Sequence, residues 1–228
     1  MEAIVLAGGL GTRLQSVVSD VPKPMAPVEG KPFLAYILSY LKKNGITKVI
    51  LSVGYKYEII ENYFGNQYNE IELVYSVEDE PLGTGGAIKK ALGRVSSNEV
   101  YIINGDTFFD IDLKALELNG KSQISMALKT MYNFDRYGCV EHDTQGNVTN
   151  FKEKSFFEKG DINGGIYLVK RDVLSNFPLK DKFSFESFME ENFQKLKITA
   201  EVFEDYFIDI GIPQDYEKFQ KDVKGTLA

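Results

Sequence analysis

The sequence contains one cysteine, one histidine and no tryptophan among its 228 residues. With Cys139 as the sole cysteine, an internal disulfide and a cysteine-based zinc site are both excluded. No apolar run approaches the roughly 18 to 20 residues that a membrane-spanning helix needs. The first ten residues lack the basic start of a secretory signal, and Glu2 and two glycines interrupt their apolar stretch. We therefore expect a cytoplasmic protein that does not associate with a membrane.

Basic residues are in the minority: 26 lysines and arginines stand against 33 aspartates and glutamates, giving a formal net charge of −7. This balance argues against general nucleic-acid binding, which needs a basic surface. The excess of acidic residues is not evenly spread, because residues 1–60 carry seven basic and only four acidic side chains. The first quarter of the chain can therefore hold an anionic ligand. The 43% hydrophobic and 13% aromatic content excludes a disordered chain.

In the first half of the chain, short β-rich runs alternate with segments whose apolar residues recur at helical spacing. The predicted strands cover 3–6, 48–53, 71–77 and 100–103, and the predicted helices cover 33–43, 57–64 and 85–92. Such alternation favours a mostly parallel sheet with helices on both faces, in which ligands bind at the carboxyl ends of the strands. Residues that directly follow a strand are therefore the first candidates for a site.

After about residue 120 the pattern changes to strands separated by short turns, which is typical of antiparallel pairing. The predicted strands cover 122–130, 138–141, 148–152, 164–169 and 198–203, with helices over 185–193 and after Pro213. We predict a single α/β domain over 1–228. It has a Rossmann-like, doubly wound mixed sheet that is mostly parallel, together with a smaller antiparallel part.

A glycine-rich loop follows the first predicted strand, with the sequence GGLGTRL at residues 8–14. Its glycines let the backbone approach a ligand, and its successive N–H groups can bind an anion. The loop is not a Walker A motif, and Leu14 stands where a dinucleotide fingerprint needs a third glycine or alanine. A tight turn without a ligand is the alternative. Arg13, and Lys23 between two prolines, favour phosphate binding instead.

Together, the loop at 8–14 and Pro22-Lys23-Pro24 resemble the signature of the sugar-phosphate nucleotidyltransferases. These enzymes join a nucleoside triphosphate to a sugar 1-phosphate and release pyrophosphate. The resemblance extends over about 2–220 and implies a glycosyltransferase-A-like fold. It further implies that about 1–118 bind the nucleotide and about 119–228 bind the sugar, without the C-terminal β-helix domain of some relatives.

Residues 14–27 look most like the branch that transfers a guanylyl group from GTP to D-glycero-D-manno-heptose 1-phosphate, giving GDP-heptose for surface polysaccharide synthesis. Most other branches have a proline soon after the Arg-Leu pair, where this chain has Gln15-Ser16. Mannose 1-phosphate guanylyltransferases, and thymidylyl- or uridylyltransferases for other hexose 1-phosphates, share the same core and are alternatives. Outside the family, a nucleotide-dependent oxidoreductase and a non-catalytic nucleotide-sensing module are rival interpretations.

The resemblance implies that GTP is held by the glycine-rich loop and by a later segment that also follows a strand. The implied nucleotide-binding residues are Leu6, Ala7, Gly8, Gly9, Gly11, Thr12, Arg13, Lys23, Glu80, Pro81, Gly83, Thr84 and Gly85. Glu80 is the candidate carboxylate for the N1–H and N2–H donors of guanine, and Gly85 stands where the family commonly has alanine. Thr84 can also serve as the N-cap of the helix that follows.

Two aspartates are implied to bind Mg²⁺: Asp106, directly after a predicted strand and a glycine, and Asp209, flanked by isoleucines. Mg²⁺ commonly takes one or two carboxylates plus substrate phosphates, and an unpaired charge between isoleucines would be costly. An ordinary turn aspartate is the alternative at Asp106. Asp110 competes with it for the metal, whereas Asp112 is expected to cap a helix over 113–118.

The sugar 1-phosphate is implied to contact Gly138, Glu153, Lys154, Asn163 and Gly164. The implied catalytic residues are Arg13, Lys23 and Asp106. A phosphate monoester is largely ionised at pH 7, so its attacking oxygen needs no general base. This agrees with the near-absence of histidine, and we assign His142 and Cys139 structural roles. The expected partners are GTP, Mg²⁺ and a sugar 1-phosphate, and a homo-oligomer is compatible with the sequence.

Overall fold

A computed structural model describes residues 1–9, 14 and 20–225 of the chain. The strands are β1 Glu2–Leu6, β2 Pro27–Val28, β3 Lys31–Pro32, β4 Lys48–Val53, β5 Gln67–Tyr68, β6 Ile71–Val77, β7 Glu99–Asn104, β8 Thr107–Phe109, β9 Ile124–Phe134, β10 Cys139–His142, β11 Val148–Lys152, β12 Phe157–Lys170, β13 Thr199–Phe203 and β14 Phe207–Asp209. The helices are α1 Phe33–Lys43, α2 Tyr57–Phe64, α3 Gly83–Leu92, α4 Phe185–Leu196 and α5 Pro213–Gly225, with short 3₁₀ turns at Lys23–Met25 and Leu113–Ala115. None of the helices in these ranges combines the length and apolarity needed to span a bilayer.

The largest sheet has eight strands in the order β13-β9-β12-β7-β1-β4-β6-β5. Strands β1, β4, β6 and β7 run parallel to one another, whereas β12 runs antiparallel to both β7 and β9. The prediction of a doubly wound, mixed sheet is confirmed. The strand order reverses beside β1, where Leu6 pairs with Asn104 of β7. Doubly wound sheets bind ligands at such a switch point.

Both faces of the sheet are covered, because successive side chains of its central strands are apolar and point to opposite faces. Ala3 and Val5 of β1 belong to a core shared with α1 and α5, whereas Ile4 belongs to a second core shared with α3 and α4. All three side chains are fully buried. The two cores together fix the central strands, and so fix the strand ends where a ligand would bind.

Strand β12 is longer than the sequence pattern predicts. It runs over 14 residues, whereas the apolar run indicates only 164–169. The pairing with β9 is interrupted by a bulge between Asn163 and Tyr167. The bulge and two adjacent glycines break the period-2 pattern from which a strand is recognised, so the earlier part of β12 is missed.

The helix predicted over 113–118 is a single 3₁₀ turn. Asp112 does cap it, since its carboxylate accepts the Lys114 N–H at 3.0 Å. A tertiary contact holds the first residue of the turn, and the backbone becomes extended directly after it. The Leu113 N–H donates to the Asn44 side chain at 2.9 Å, and Leu116 is already extended.

Candidate active site

A cavity of about 470 Å³ opens at the carboxyl ends of β1, β6 and β7. Leu6 and Asn104 end two of these strands, and Glu78 directly follows the third. The described residues that line it are Leu6, Gly8, Gly9, Lys23, Pro24, Glu78, Pro81, Gly83, Thr84, Ala87, Asn104, Gly105 and Asp106. More than half of the predicted nucleotide-binding residues therefore meet at the switch point of the sheet.

Lys23 lies at the wall of this cavity, between two carboxylates. Its Nζ donates to Asp106 Oδ2 at 2.7 Å and is 3.8 Å from Asp209 Oδ1. The lysine side chain is only 10% exposed, and prolines on both sides restrict the backbone that carries it. The structure thus brings together the predicted catalytic lysine and both predicted metal ligands.

The two aspartates are neighbours because the short strands β8 and β14 pair. Asp209 is opposite Thr107 in this pairing, and the Ile210 N–H donates to the Asp106 carbonyl at 3.0 Å. Gly105 is needed before Asp106, since a Cβ there would lie 2.4 Å from a carbonyl oxygen of β1. This close approach turns the chain so that Asp106 stands at the cavity.

The paired carboxylates create an excess of negative charge. Burial and the neighbouring Asp106 charge raise the pKa of Asp209, while Lys23 and the Gly211 N–H oppose that rise. Because one lysine cannot neutralise two carboxylates, a divalent cation fits this donor set. No cluster of three or more metal-binding side chains occurs within residues 1–9, 14 and 20–225. A cation here would take its other ligands from phosphate and water, as Mg²⁺ commonly does.

Glu78, rather than Glu80, is the carboxylate that lines the cavity. Its Oε1 accepts from the Ser52 hydroxyl at 3.2 Å, and its Oε2 accepts from the Leu82 N–H at 3.1 Å. Glu80 is exposed and is not part of the described lining. The sequence did carry a signal for Glu78, because it directly follows the predicted strand 71–77, as Asp106 follows a strand and a glycine.

Thr84 lines the cavity but is not an N-cap. Helix α3 begins at Gly83, one residue earlier, and Leu82 precedes it without a side-chain cap. The Thr84 hydroxyl instead donates to Glu186 at 2.6 Å and accepts from the Phe185 N–H at 2.8 Å. These bonds join Thr84 of α3 to the first turn of α4. They occupy the Thr84 hydroxyl, so it does not cap its own helix.

Gly85 and Ala7, two of the predicted nucleotide-binding residues, are not part of the described lining of the cavity. A Cβ on Gly85 would lie 2.2 Å from the ring of Phe183, and the Gly85 N–H donates to the Phe183 carbonyl at 3.0 Å. Ala7 is 2% exposed, and its N–H donates to the Ser52 carbonyl at 2.7 Å. Three further predicted nucleotide-binding residues lie outside the described residues: Gly11, Thr12 and Arg13.

The predicted sugar-binding residues belong to the antiparallel part, and none of them is in the described lining of the cavity. Glu153 and Lys154 are exposed in the segment between β11 and β12. Gly138 allows a close backbone approach, since a Cβ there would lie 2.3 Å from the Lys152 carbonyl oxygen. This contact fixes the turn before β10 against the end of β11, beside Glu153.

Asn163 and Gly164 form part of the bulge in β12. The Asn163 amide donates to the Tyr167 hydroxyl at 2.7 Å and accepts from the Gly165 N–H at 3.0 Å. A Cβ on Gly164 would lie 2.6 Å from the ring of Phe109. In this structure both residues therefore hold the bulge together.

Known proteins are similar to this chain over nearly its whole length. The Nucleotidyl transferase family matches residues 2–225. The chain is 58% identical to a D-glycero-α-D-manno-heptose 1-phosphate guanylyltransferase of Campylobacter jejuni, over 96% of this chain and 98% of that protein. It is 51% identical to a protein of the same description from Aneurinibacillus thermoaerophilus, over 98% and 99% of the two chains.

The chain is also similar to a protein of known structure. The crystal structure of HddC from Yersinia pseudotuberculosis complexed with GMP-PN superposes with a TM-score of 0.83 at 37% identity. The superposition covers 97% of this chain and 98% of HddC. The chain belongs to the nucleotidyl transferase family.

Proposed function

We propose that this protein transfers a guanylyl group from GTP to D-glycero-α-D-manno-heptose 1-phosphate, giving GDP-heptose and pyrophosphate. The observation that carries the proposal is the convergence of Lys23, Asp106 and Asp209, of which Lys23 and Asp106 line the cavity. The names of the two relatives that match nearly the whole chain favour this base and sugar. The product would serve surface polysaccharide synthesis, with the reaction taking place in the cytoplasm.

The proposed reaction is an in-line displacement at the α-phosphorus of GTP. A sugar-phosphate oxygen forms a bond to this phosphorus while the bond to the bridging oxygen of the β-phosphate breaks, and pyrophosphate leaves. The attacking oxygen is already ionised at neutral pH. No general base is needed, which agrees with a described cavity lining that contains no histidine.

The task of the protein is then to bring two anions together and to stabilise the charge that develops. Asp106 and Asp209 would hold Mg²⁺, which when bound supplies positive charge to the reacting phosphates. Lys23 would bind the α-phosphate. Arg13 and the N–H groups of the glycine-rich loop would bind the β- and γ-phosphates.

Glu78 is the proposed reader of guanine. A carboxylate only accepts hydrogen bonds, and its two oxygens offer about four acceptor positions. Ser52 and Leu82 occupy two of them, which leaves positions for the N1–H and N2–H of guanine. Pro81 and Gly83 line the same wall and would lie against the flat face of the base.

The sugar side of the proposal rests on the motif resemblance. Lys154 would bind the sugar phosphate and Glu153 the sugar hydroxyls, with Gly138 beside them. Asn163 and Gly164 would read further hydroxyls from β12. In this proposal the antiparallel half, about 119–228, binds the sugar, and the half at about 1–118 binds the nucleotide.

A matrix assay tests the function: four nucleoside triphosphates against heptose, mannose, glucose and N-acetylhexosamine 1-phosphates, with pyrophosphate release as the measurement. The highest kcat/KM is expected with GTP and the heptose 1-phosphate. A preference for mannose 1-phosphate or for another base would replace the substrate assignment. Absence of pyrophosphate with every pair would favour a nucleotide-sensing module.

Lys23→Ala tests the site within the same assay. Removing one donor that faces developing charge is expected to lower kcat by about 10²- to 10³-fold. Lys31→Ala, a change at an exposed lysine of β3, is the matched control and is expected to retain normal turnover. Near-normal kcat in Lys23→Ala would remove Lys23 from the mechanism.

A further inference from the structure

The Tyr137 side chain links the proposed metal ligand Asp209 to an arginine outside the cavity. Its hydroxyl is 3.4 Å from Asp209 Oδ2, and the Arg136 Nη2 lies 2.6 Å from the same hydroxyl. Tyr137 is half-buried and precedes β10. The motif resemblance selects only its neighbour Gly138 and assigns no role to Tyr137 or Arg136.

The direction of these hydrogen bonds follows from the chemistry of the groups. A guanidinium only donates, so the tyrosine oxygen accepts from Arg136. The single phenolic hydrogen is then free to point at the carboxylate of Asp209, which only accepts. Arg136 therefore orients the Tyr137 hydroxyl that donates a hydrogen bond to Asp209.

Arg136 is itself anchored. The same Nη2 lies 2.7 Å from Asp215 Oδ2, and Asp215 belongs to the first turn of α5. The ion pair ties the segment between β9 and β10 to the start of the last helix. Asp209 lies between these two anchored segments.

The two oxygens of Asp209 are held from different sides. Oδ1 accepts from the Gly211 N–H at 2.7 Å and faces Lys23 at 3.8 Å, whereas Oδ2 accepts from Tyr137. With both oxygens occupied, the carboxylate has one preferred orientation, with Oδ1 toward Lys23 and Asp106. Groups that fix a ligating carboxylate in this way commonly contribute 10- to 100-fold to metal affinity.

We propose that Tyr137 is a positioning residue that orients Asp209 for the divalent cation, and that Arg136 acts through it. The inference rests on the metal site of the proposed function. It predicts that loss of the Tyr137 hydroxyl impairs cation binding more than sugar binding, although the next residue, Gly138, is assigned to the sugar.

The test is Mn²⁺ binding in the presence of a non-hydrolysable GTP analogue, followed by the electron paramagnetic resonance signal of free Mn²⁺. Tyr137→Phe is expected to weaken Mn²⁺ binding about tenfold and to leave the KM for the sugar 1-phosphate unchanged. Arg136→Gln is expected to weaken it as well, with little further effect in the Tyr137→Phe background. Tyr132→Phe, a change at a tyrosine that is 59% exposed on β9, is the matched control.

The outcomes distinguish the positioning role of Tyr137 from the existence of the metal site. Unchanged Mn²⁺ affinity in Tyr137→Phe, or a change confined to the KM for the sugar 1-phosphate, would overturn the positioning role. Absence of Mn²⁺ binding by the wild-type protein with the analogue would instead overturn the metal site of the proposed function. If Tyr137→Phe does not fold, as judged by circular dichroism, Arg136→Gln answers the same question.

Discussion

Both oxygens of the Glu78 carboxylate accept hydrogen bonds from the protein. Ser52 comes from the neighbouring strand β4 and Leu82 from the start of α3, so the carboxylate cannot swing away from the cavity wall. Glu80, two residues later, is exposed. Glu78 directly follows the predicted strand 71–77, whereas Glu80 lies three residues after its end, and the packing of β4 beside β6 places Glu78 against Ser52.

Glu78→Gln is therefore expected to lower kcat/KM for GTP by about 10- to 100-fold, the equivalent of one hydrogen bond to a charged group. The glutamine amide would place a donor against a donor of guanine, so discrimination against other bases should also fall. Steady-state kinetics with all four nucleoside triphosphates measure both effects. Glu80→Gln is the matched control, and an equal or larger loss in that variant would return the role to Glu80.

The contact of His142 with Asp161 makes the stability of the fold depend on pH, at a place away from the cavity. Its Nε2 lies 3.1 Å from Asp161 Oδ2, and Asp161 also accepts from Thr130. Burial lowers the pKa of His142, but the Asp161 carboxylate and the Asp143 carbonyl outweigh it and raise the pKa above 6.5. The contact therefore stabilises the fold fully below pH 6.5, and the gain is lost as the pH rises through the higher folded pKa.

Urea unfolding of the wild type and of His142→Gln at pH 5.5 and pH 9 measures this contribution. The variant is expected to lose more stability at the lower pH than at the higher one. An equal loss at both pH values would show that the charged form of His142 contributes nothing.

At the scale of elements, the sequence predicts α1, α2, β4, β6 and β11 with the bounds that the structure has. Each has a regular apolar period or a clear stop signal, such as the glycine that ends α2. The predictions are wrong where contacts between distant segments decide the outcome. The bulge in β12 and the 3₁₀ turn at Leu113–Ala115 depend on partners that no local pattern reveals.

In the candidate site too, local motifs predict some residues, whereas contacts between distant segments decide others. Lys23, Asp106 and Asp209 are predicted because short motifs carry them, and the structure brings them together. Tyr137 is missed because its role arises from neighbours in other elements, and Glu78 is missed although it directly follows a predicted strand. Gly85 is an intermediate case. The sequence shows that a glycine replaces the family's alanine, but only the structure shows the Phe183 ring that a Cβ there would meet.

Gly85→Ala tests that packing between α3 and the start of α4. The added methyl would meet the Phe183 ring at 2.2 Å, so overpacking should destabilise the fold by about 1–3 kcal/mol. Phe183→Leu should recover part of the loss when the two changes are combined. Gly93→Ala, at the other end of α3 where a Cβ would lie 3.4 Å from its nearest neighbour, is the control. Wild-type stability of Gly85→Ala in urea unfolding would contradict this account.

At the scale of the whole molecule, the division of the chain near residue 118 does not coincide with a division of the core. Strand β12 from the second half pairs directly with β7 from the first. Both cores contain residues from both halves: Phe219 of α5 packs on Phe33 of α1, and α4 packs with α3. We therefore propose that the two halves form one cooperative unit.

The prediction is a single unfolding transition. Far-ultraviolet circular dichroism and the near-ultraviolet tyrosine signal should give coincident thermal curves, and the calorimetric and van't Hoff enthalpies should agree. GTP with Mg²⁺, which we propose to contact mainly the first half, should nevertheless shift the whole transition upward, because ligand binding stabilises everything that unfolds with the site. Two separable transitions, of which only one moves with the nucleotide, would mean that β12 does not hold the halves together. The proposal that about 1–118 and about 119–228 form one domain would then be wrong.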